Sequence, residues 1–216
     1  MHREPLEIVT SAQNAAATFV HDRHMPQWAA SDRALDRLRT AIPDLDESAA
    51  LIKAAAVDRL YYSRHDRIVE AARRIAEVMQ CPPADPIALV EAVAGLPDEG
   101  GTSHYWSFAS KFVHFFIAPE GTPIYDDWAV RTVRHHFGRL RWIGRTPYRA
   151  FAEYALGLRK ASDLRCSVRE LDRYLWLSGM LRGWRSDPTV GISREVRSVF
   201  ESSERDVRHQ LVRLTG

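Results

Sequence analysis

The sequence of 216 residues predicts an all-α fold of roughly eight to ten helices. Three observations carry this reading. Apolar residues return at helical spacing along most of the chain, Ser, Thr and Asp caps with Pro and Gly stops cut it into helix-sized pieces, and no alternating strand pattern of useful length occurs. No internal repeat or low-complexity linker divides it. The expectation is a single compact helical domain with two lobes, one from about 48–140 and the other from the N-terminal helices together with 141–216.

Taken in order, residues 6–21 and 31–41 read as two short helices, the second opened by a Ser31-Asp32 cap, with Met25, Pro26, Gln27 and Trp28 as the connection. Pro43 and Asp44 close this unit. A helix over 48–64 follows, with Leu51, Ala55 and Leu60 among small alanines that allow close approach, and with Asp58, Arg59, Tyr61 and Tyr62 clustered at its end. Helices over 66–79 and 85–94 are stopped by Pro82-Pro83 and by Gly95 with Pro97. Residues 95–106 form a sharply turned connection. A helix from Ser107 to Ile117 then carries Phe108, Phe112, Phe115 and Phe116 at i, i+4, i+7 and i+8, the spacing of one face, with Lys111 and His114 in the same run. Imidazoles in such runs are more often hydrogen-bonded core groups than site residues.

Pro119 and Gly121 end that helix, and Pro123 imposes an extended approach to Asp126 and Asp127, which stand where the next helix begins. Carboxylates there are favoured by the helix dipole, and capping is the plain reading of them. The helix they open runs to Gly138. Residues 146–159 place Pro147 at a first helical position behind Thr146, and 167–181 open with a Ser-x-x-Glu capping box. The tail over 193–213 is charged, mildly amphipathic and expected to be peripheral.

The hydrophobic fraction of 45% against 27% charged is ordinary for a soluble domain, no apolar run reaches a membrane span, and the start lacks a signal-peptide core, so a cytoplasmic protein is expected. Cys81 and Cys166 are far apart and outside any Cys/His cluster, which predicts reduced thiols, no metal site and no cofactor. The net charge of +2 alone implies no polyanion partner. Its distribution says more: Arg131, Arg134, Arg139, Arg141, Arg145 and Arg149, with His135 and His136, fill a stretch without acidic residues that suits either phosphate contacts or a solvated helix face.

The order of a small-residue-rich helix, Leu96, Pro97, Gly100 and Gly101, a helix opening SFASK, and then Pro123-Ile124-Tyr125-Asp126 resembles the helix-hairpin-helix base-excision DNA glycosylases, specifically the 8-oxoguanine-glycosylase-like branch. The resemblance covers roughly residues 48–182. It implies that fold, with Asp126 as the catalytic aspartate and Asp127 as a neighbour able to exchange roles with it. Bifunctional members carry a lysine at the start of the helix after the hairpin. Ser107 stands near that position here and Lys111 lies one turn later, which resembles the monofunctional, water-using members. The family's compact L-P-G-x-G hairpin is replaced by LPDEGGTSHYW, which implies a weaker backbone grip on phosphate.

Cleavage of an N-glycosidic bond builds positive charge on the sugar, which an ionised aspartate stabilises while orienting water. If Asp126 and Asp127 both faced the sugar, their repulsion would raise one pKa and fit that group for acid–base work. The flipped base needs aromatic faces, for which Tyr61, Tyr62, His104, Trp106 and Trp128 are the candidates, while Arg59, Ser107 and the arginine block would hold the backbone. The implied partner is double-stranded DNA with a damaged or modified base, met by a monomer in repair or in defence against phage genomes. Two alternatives stand beside it: a non-catalytic DNA-binding module of the same fold, and a metal-dependent nuclease using the aspartate pair.

Overall fold

The structure, a computed structural model, describes residues 5–61, 66–98, 101–138 and 146–215. Among them are eleven α-helices and one two-stranded antiparallel sheet, and the chain separates into two compact units. The all-α class holds. Among the described residues no helix is long and apolar enough to cross a membrane.

The first unit comprises Met1–Ala30, Asp126–Arg141 and Glu153–Gly216. It is built on α9 (Val168–Ser186), against which α1 (Ser11–His24), α7 (Asp127–Phe137) and α11 (Arg205–Thr215) pack; α10 (Arg194–Phe200) packs on α11. Ser167 and Glu170 form the anticipated capping box of α9, and Thr10 with Gln13 forms another on α1 that the sequence reading missed. The tail is not peripheral. Val207, Leu211 and Leu214 are buried at i, i+4 and i+7, a stripe narrow enough to be hidden in the sequence by the charges around it.

The second unit comprises Ser31–Tyr125 and Trp142–Ala152. It holds α3 (Glu47–Tyr61), α4 (Ile68–Gln80), α5 (Pro86–Ala94), the strands β1 (Gly95–Asp98) and β2 (Gly101–His104), and α6 (Trp106–Phe116). The strands escaped the sequence reading because each is only four residues long and neither alternates apolar with polar. Gly95 pairs with His104 and Leu96 with Ser103, so the expected turned connection is a β-hairpin. In α6 every residue from Phe108 to Phe116 is buried, Ser110, Lys111 and His114 included. The expected single apolar face was thus too narrow, as suits a helix enclosed on all sides.

Two helices contribute to both units. One is α2 (Pro26–Ala41), which starts five residues before the expected Ser31-Asp32 cap because Pro26 serves as its first residue; Ser31 and Asp32 lie inside it. The other is α8 (Pro147–Ala161). The division also departs from the expected lobes in giving α7, with the aspartate pair, to the first unit.

Candidate functional site

In the second unit the candidate residues gather around the first turns of α6. Lys111 is only 6% exposed, and its Nζ donates to Ser107 Oγ at 3.0 Å, one helical turn back, and to the Tyr61 carbonyl at 3.4 Å. A buried ammonium is thereby surrounded by oxygen acceptors, the condition for keeping such a charge inside a protein. The Tyr61 hydroxyl donates to Asp32 Oδ1, and its ring lies 4.9 Å from that of Phe115. Asp32, missed as a site residue because it read as a cap, is only 5% exposed.

The segment after α6 is fastened back onto that helix. Ser110 Oγ accepts the Tyr125 N–H at 2.9 Å, His114 Nδ1 donates to the Thr122 carbonyl at 2.8 Å, and the Tyr148 hydroxyl donates to the Pro123 carbonyl at 3.3 Å. His114, fully buried, is a structural brace. These bonds fix the extended Pro123–Tyr125 approach that delivers the chain to Asp126. On the hairpin side, exposed His104 stacks on half-buried Trp106 at 4.8 Å and 18°, and the Trp106 ring is nearly parallel to that of buried Tyr148 at 6.4 Å. The result is an aromatic column running from surface to core.

In the first unit Asp126 caps α7. Its Oδ1 accepts the Ala129 N–H at 2.7 Å, while Asp127 occupies the first turn and is exposed. The two neighbouring acids are therefore distinct, one fixed by the helix start and the other turned to solvent. Trp128 is half-buried, with the Arg131 guanidinium 4.6 Å from its ring centre. Asp127, Arg131, Arg134 and His135 are the exposed stripe of α7, at i, i+4, i+7 and i+8. Thr132 on the opposite face donates to the Leu175 carbonyl at 2.6 Å.

A polar chain that sequence reading did not anticipate runs beneath that stripe. His136 Nδ1 donates to the Glu7 carbonyl at 2.8 Å, which leaves Nε2 to accept from the Tyr174 hydroxyl at 2.9 Å. Burial holds His136 below the ordinary imidazole range, and the charge of Arg182 pushes the same way. Burial likewise raises the Tyr174 phenol, opposed by Arg182 nearby.

Of the arginine block, Arg131 and Arg134 are exposed on α7; the separate candidate Arg59 is exposed on the last turn of α3. Arg149 departs from the expected phosphate contact. Its Nη2 lies 2.5 Å from Glu91 and 3.1 Å from Asp85, and these acids raise its pKa further, so its charge is committed inside the second unit. Both partners are about sixty positions away in sequence, beyond the reach of local charge counting. Tyr62, Arg139, Arg141 and Arg145 lie outside the described residues. The remaining candidates divide between the units: Asp126, Asp127, Trp128, Arg131 and Arg134 belong to the first, and Arg59, Tyr61, His104, Trp106, Ser107 and Lys111 to the second. Among the described residues no group of three or more His, Cys, Asp or Glu side chains is arranged to hold a metal ion. No protein-family model, curated protein or solved structure matches the chain.

Proposed function

We propose that the chain is a DNA glycosylase that hydrolyses the N-glycosidic bond of a flipped-out damaged or modified base and leaves an abasic site. The observation that carries this reading is the fixed delivery of Asp126. The preceding Tyr125 is pinned through its backbone to Ser110, and the carboxylate is oriented by the Ala129 N–H. A carboxylate so held stabilises the cationic sugar as the base departs, and water adds to C1′ in its place. The leaving base takes a proton and the water oxygen loses one, so no redox partner enters. Asp127, exposed beside it, is the second acid available for proton transfer.

Ser107 and Lys111 belong to this reading as well. Lys111 is buried against Ser107 and the Tyr61 carbonyl, a setting that suits a fixed positive charge better than a free attacking amine. Water is then the nucleophile, and borohydride traps no covalent protein–DNA adduct. Trp128 of the first unit and, separately, Tyr61, His104 and Trp106 of the second are each proposed as an aromatic face for stacking on an extruded base. Arg59, Arg131 and Arg134 are proposed to meet backbone phosphates, and the enzyme is proposed to need no metal.

A second reading is favoured by one specific observation, the cap bond from Ala129 to Asp126. A capping aspartate needs no chemistry, and a non-catalytic DNA-binding module would keep it. Incubation of the purified protein with duplexes bearing oxidised, alkylated or hypermodified bases, followed by alkali, separates the two. A glycosylase produces strand breaks at the modified base, and a binding module produces none with any of them.

A further inference from the structure

The flank of the first unit beside α7 holds an open cleft of about 510 Å³, of whose lining the glycosylase reading uses only Arg131. Arg131 and His135 of α7 line it from one side, and Arg182, Ser186 and Asp187, at and just beyond the end of α9, line it from the other, with Gly183 between them. Neither Arg131 nor Arg182 has a carboxylate within ion-pair distance among the described residues. Arg182 is half-buried, its Nη1 donates to the Ser178 hydroxyl, its guanidinium also bonds the Tyr174 hydroxyl, and its Nη2 is buried without an acceptor among the described residues. A guanidinium with neutral partners and an unmet donor attracts an anion strongly.

Arg131 is prepared differently. Its guanidinium lies over the Trp128 ring, a contact that fixes the plane of the group and leaves the in-plane N–H fork available. His135 has Glu7 at 3.2 Å, and Asp187 accepts from the backbone N–H and the hydroxyl of Thr189 at 2.9 Å and 2.6 Å. The acids near the cleft thus have partners of their own, while its two arginines have none that are charged.

We propose that this cleft is an oxyanion site for a phosphate group, gripped by Arg131 and Arg182 with the Ser186 hydroxyl as a further donor. The phosphate chemistry has two sources. A backbone phosphate of DNA deepens the glycosylase reading and rests on it, whereas a free phosphate or phosphorylated small molecule does not.

The test uses the full chain and two substitutions at exposed positions, Arg131→Gln and Ser186→Glu, which leave the Arg182 network intact. Binding of inorganic phosphate is read by phosphorus NMR line broadening against chloride at equal ionic strength. Binding of unmodified duplex DNA is read across a salt series. Each substitution is expected to weaken phosphate binding at least tenfold. Weaker DNA binding, with a salt slope lower by roughly one unit, identifies the backbone as the source. Loss of phosphate binding with DNA binding unchanged identifies a free phosphorylated ligand and keeps the site. Wild-type behaviour of both variants in both measurements overturns the proposal. Base release by the wild-type protein is measured separately, so the site and the glycosylase reading can fail independently.

Discussion

The indole of Trp128 lies against Gly183: a Cβ built on that glycine would stand 2.4 Å from the ring, and one on Gly179 would stand 2.3 Å from the Trp128 carbonyl oxygen. Two glycines one turn apart let α7 approach α9 closely and seat the residue that follows the aspartate pair. Alanine at either position overpacks the contact and should destabilise the protein by about 1–3 kcal/mol. Gly179→Ala should cost more, because it meets backbone where Gly183→Ala meets a ring able to shift. Urea denaturation of the two variants checks the order.

That contact also marks how far the sequence was legible. The helices were readable because caps and apolar spacing are local: Thr146-Pro147, Ser167 with Glu170, and the stop at Gly138 all appear where expected. The hairpin strands, the Asp32–Tyr61 bond and the Arg149–Glu91 pair were not readable, since each joins residues whose types say nothing about one another. Asp126 could be placed at a helix start, but not told from a plain cap by its position alone. Gly179 and Gly183, spaced i, i+4 at and just beyond the end of the helix expected over 167–181, were a local signal passed over, as was the Thr10–Gln13 capping box.

His136 should make stability depend on pH. Its folded pKa lies below the ordinary 6.5 because it is buried. The neutral ring's contribution is therefore complete above that unfolded value and is lost as pH falls below it, where the unfolded chain takes the proton more readily. The melting temperature of the wild-type protein should drop as pH is lowered from about 7.5 to about 5.5, and His136→Gln should flatten that drop while melting lower throughout. Equal slopes for the two proteins would remove His136 from the account.

Ser110 is the anchor of the approach to Asp126. Ser110→Ala leaves the Tyr125 N–H without its acceptor and should cost about 1–3 kcal/mol. Displacing the carboxylate should also lower base release more than DNA affinity. Parallel denaturation and single-turnover assays test both halves, and a stability loss with full activity would free Asp126 from its dependence on Ser110.

The arginines should separate by function. Arg149→Met breaks the contacts with Glu91 and Asp85 and should reduce stability while leaving DNA binding at the wild-type level. The double substitution Arg131→Gln, Arg134→Gln should do the reverse, weakening DNA binding and lowering the salt slope by roughly one unit per lost contact. DNA titrations over a salt series beside thermal melts would show whether the two effects divide this way.

The most direct measurement is base release by Asp126→Asn, because asparagine caps a helix about as well as aspartate and removes only the charge. The variant should melt near the wild-type temperature and keep its affinity for DNA. Release of the modified base under single-turnover conditions should fall at least about a hundredfold, the scale of a lost electrostatic group in the transition state. Asp127→Asn, at the exposed neighbour, should lose far less. Wild-type release by a folded Asp126→Asn protein would contradict the account, and would leave the carboxylate as a cap and nothing more.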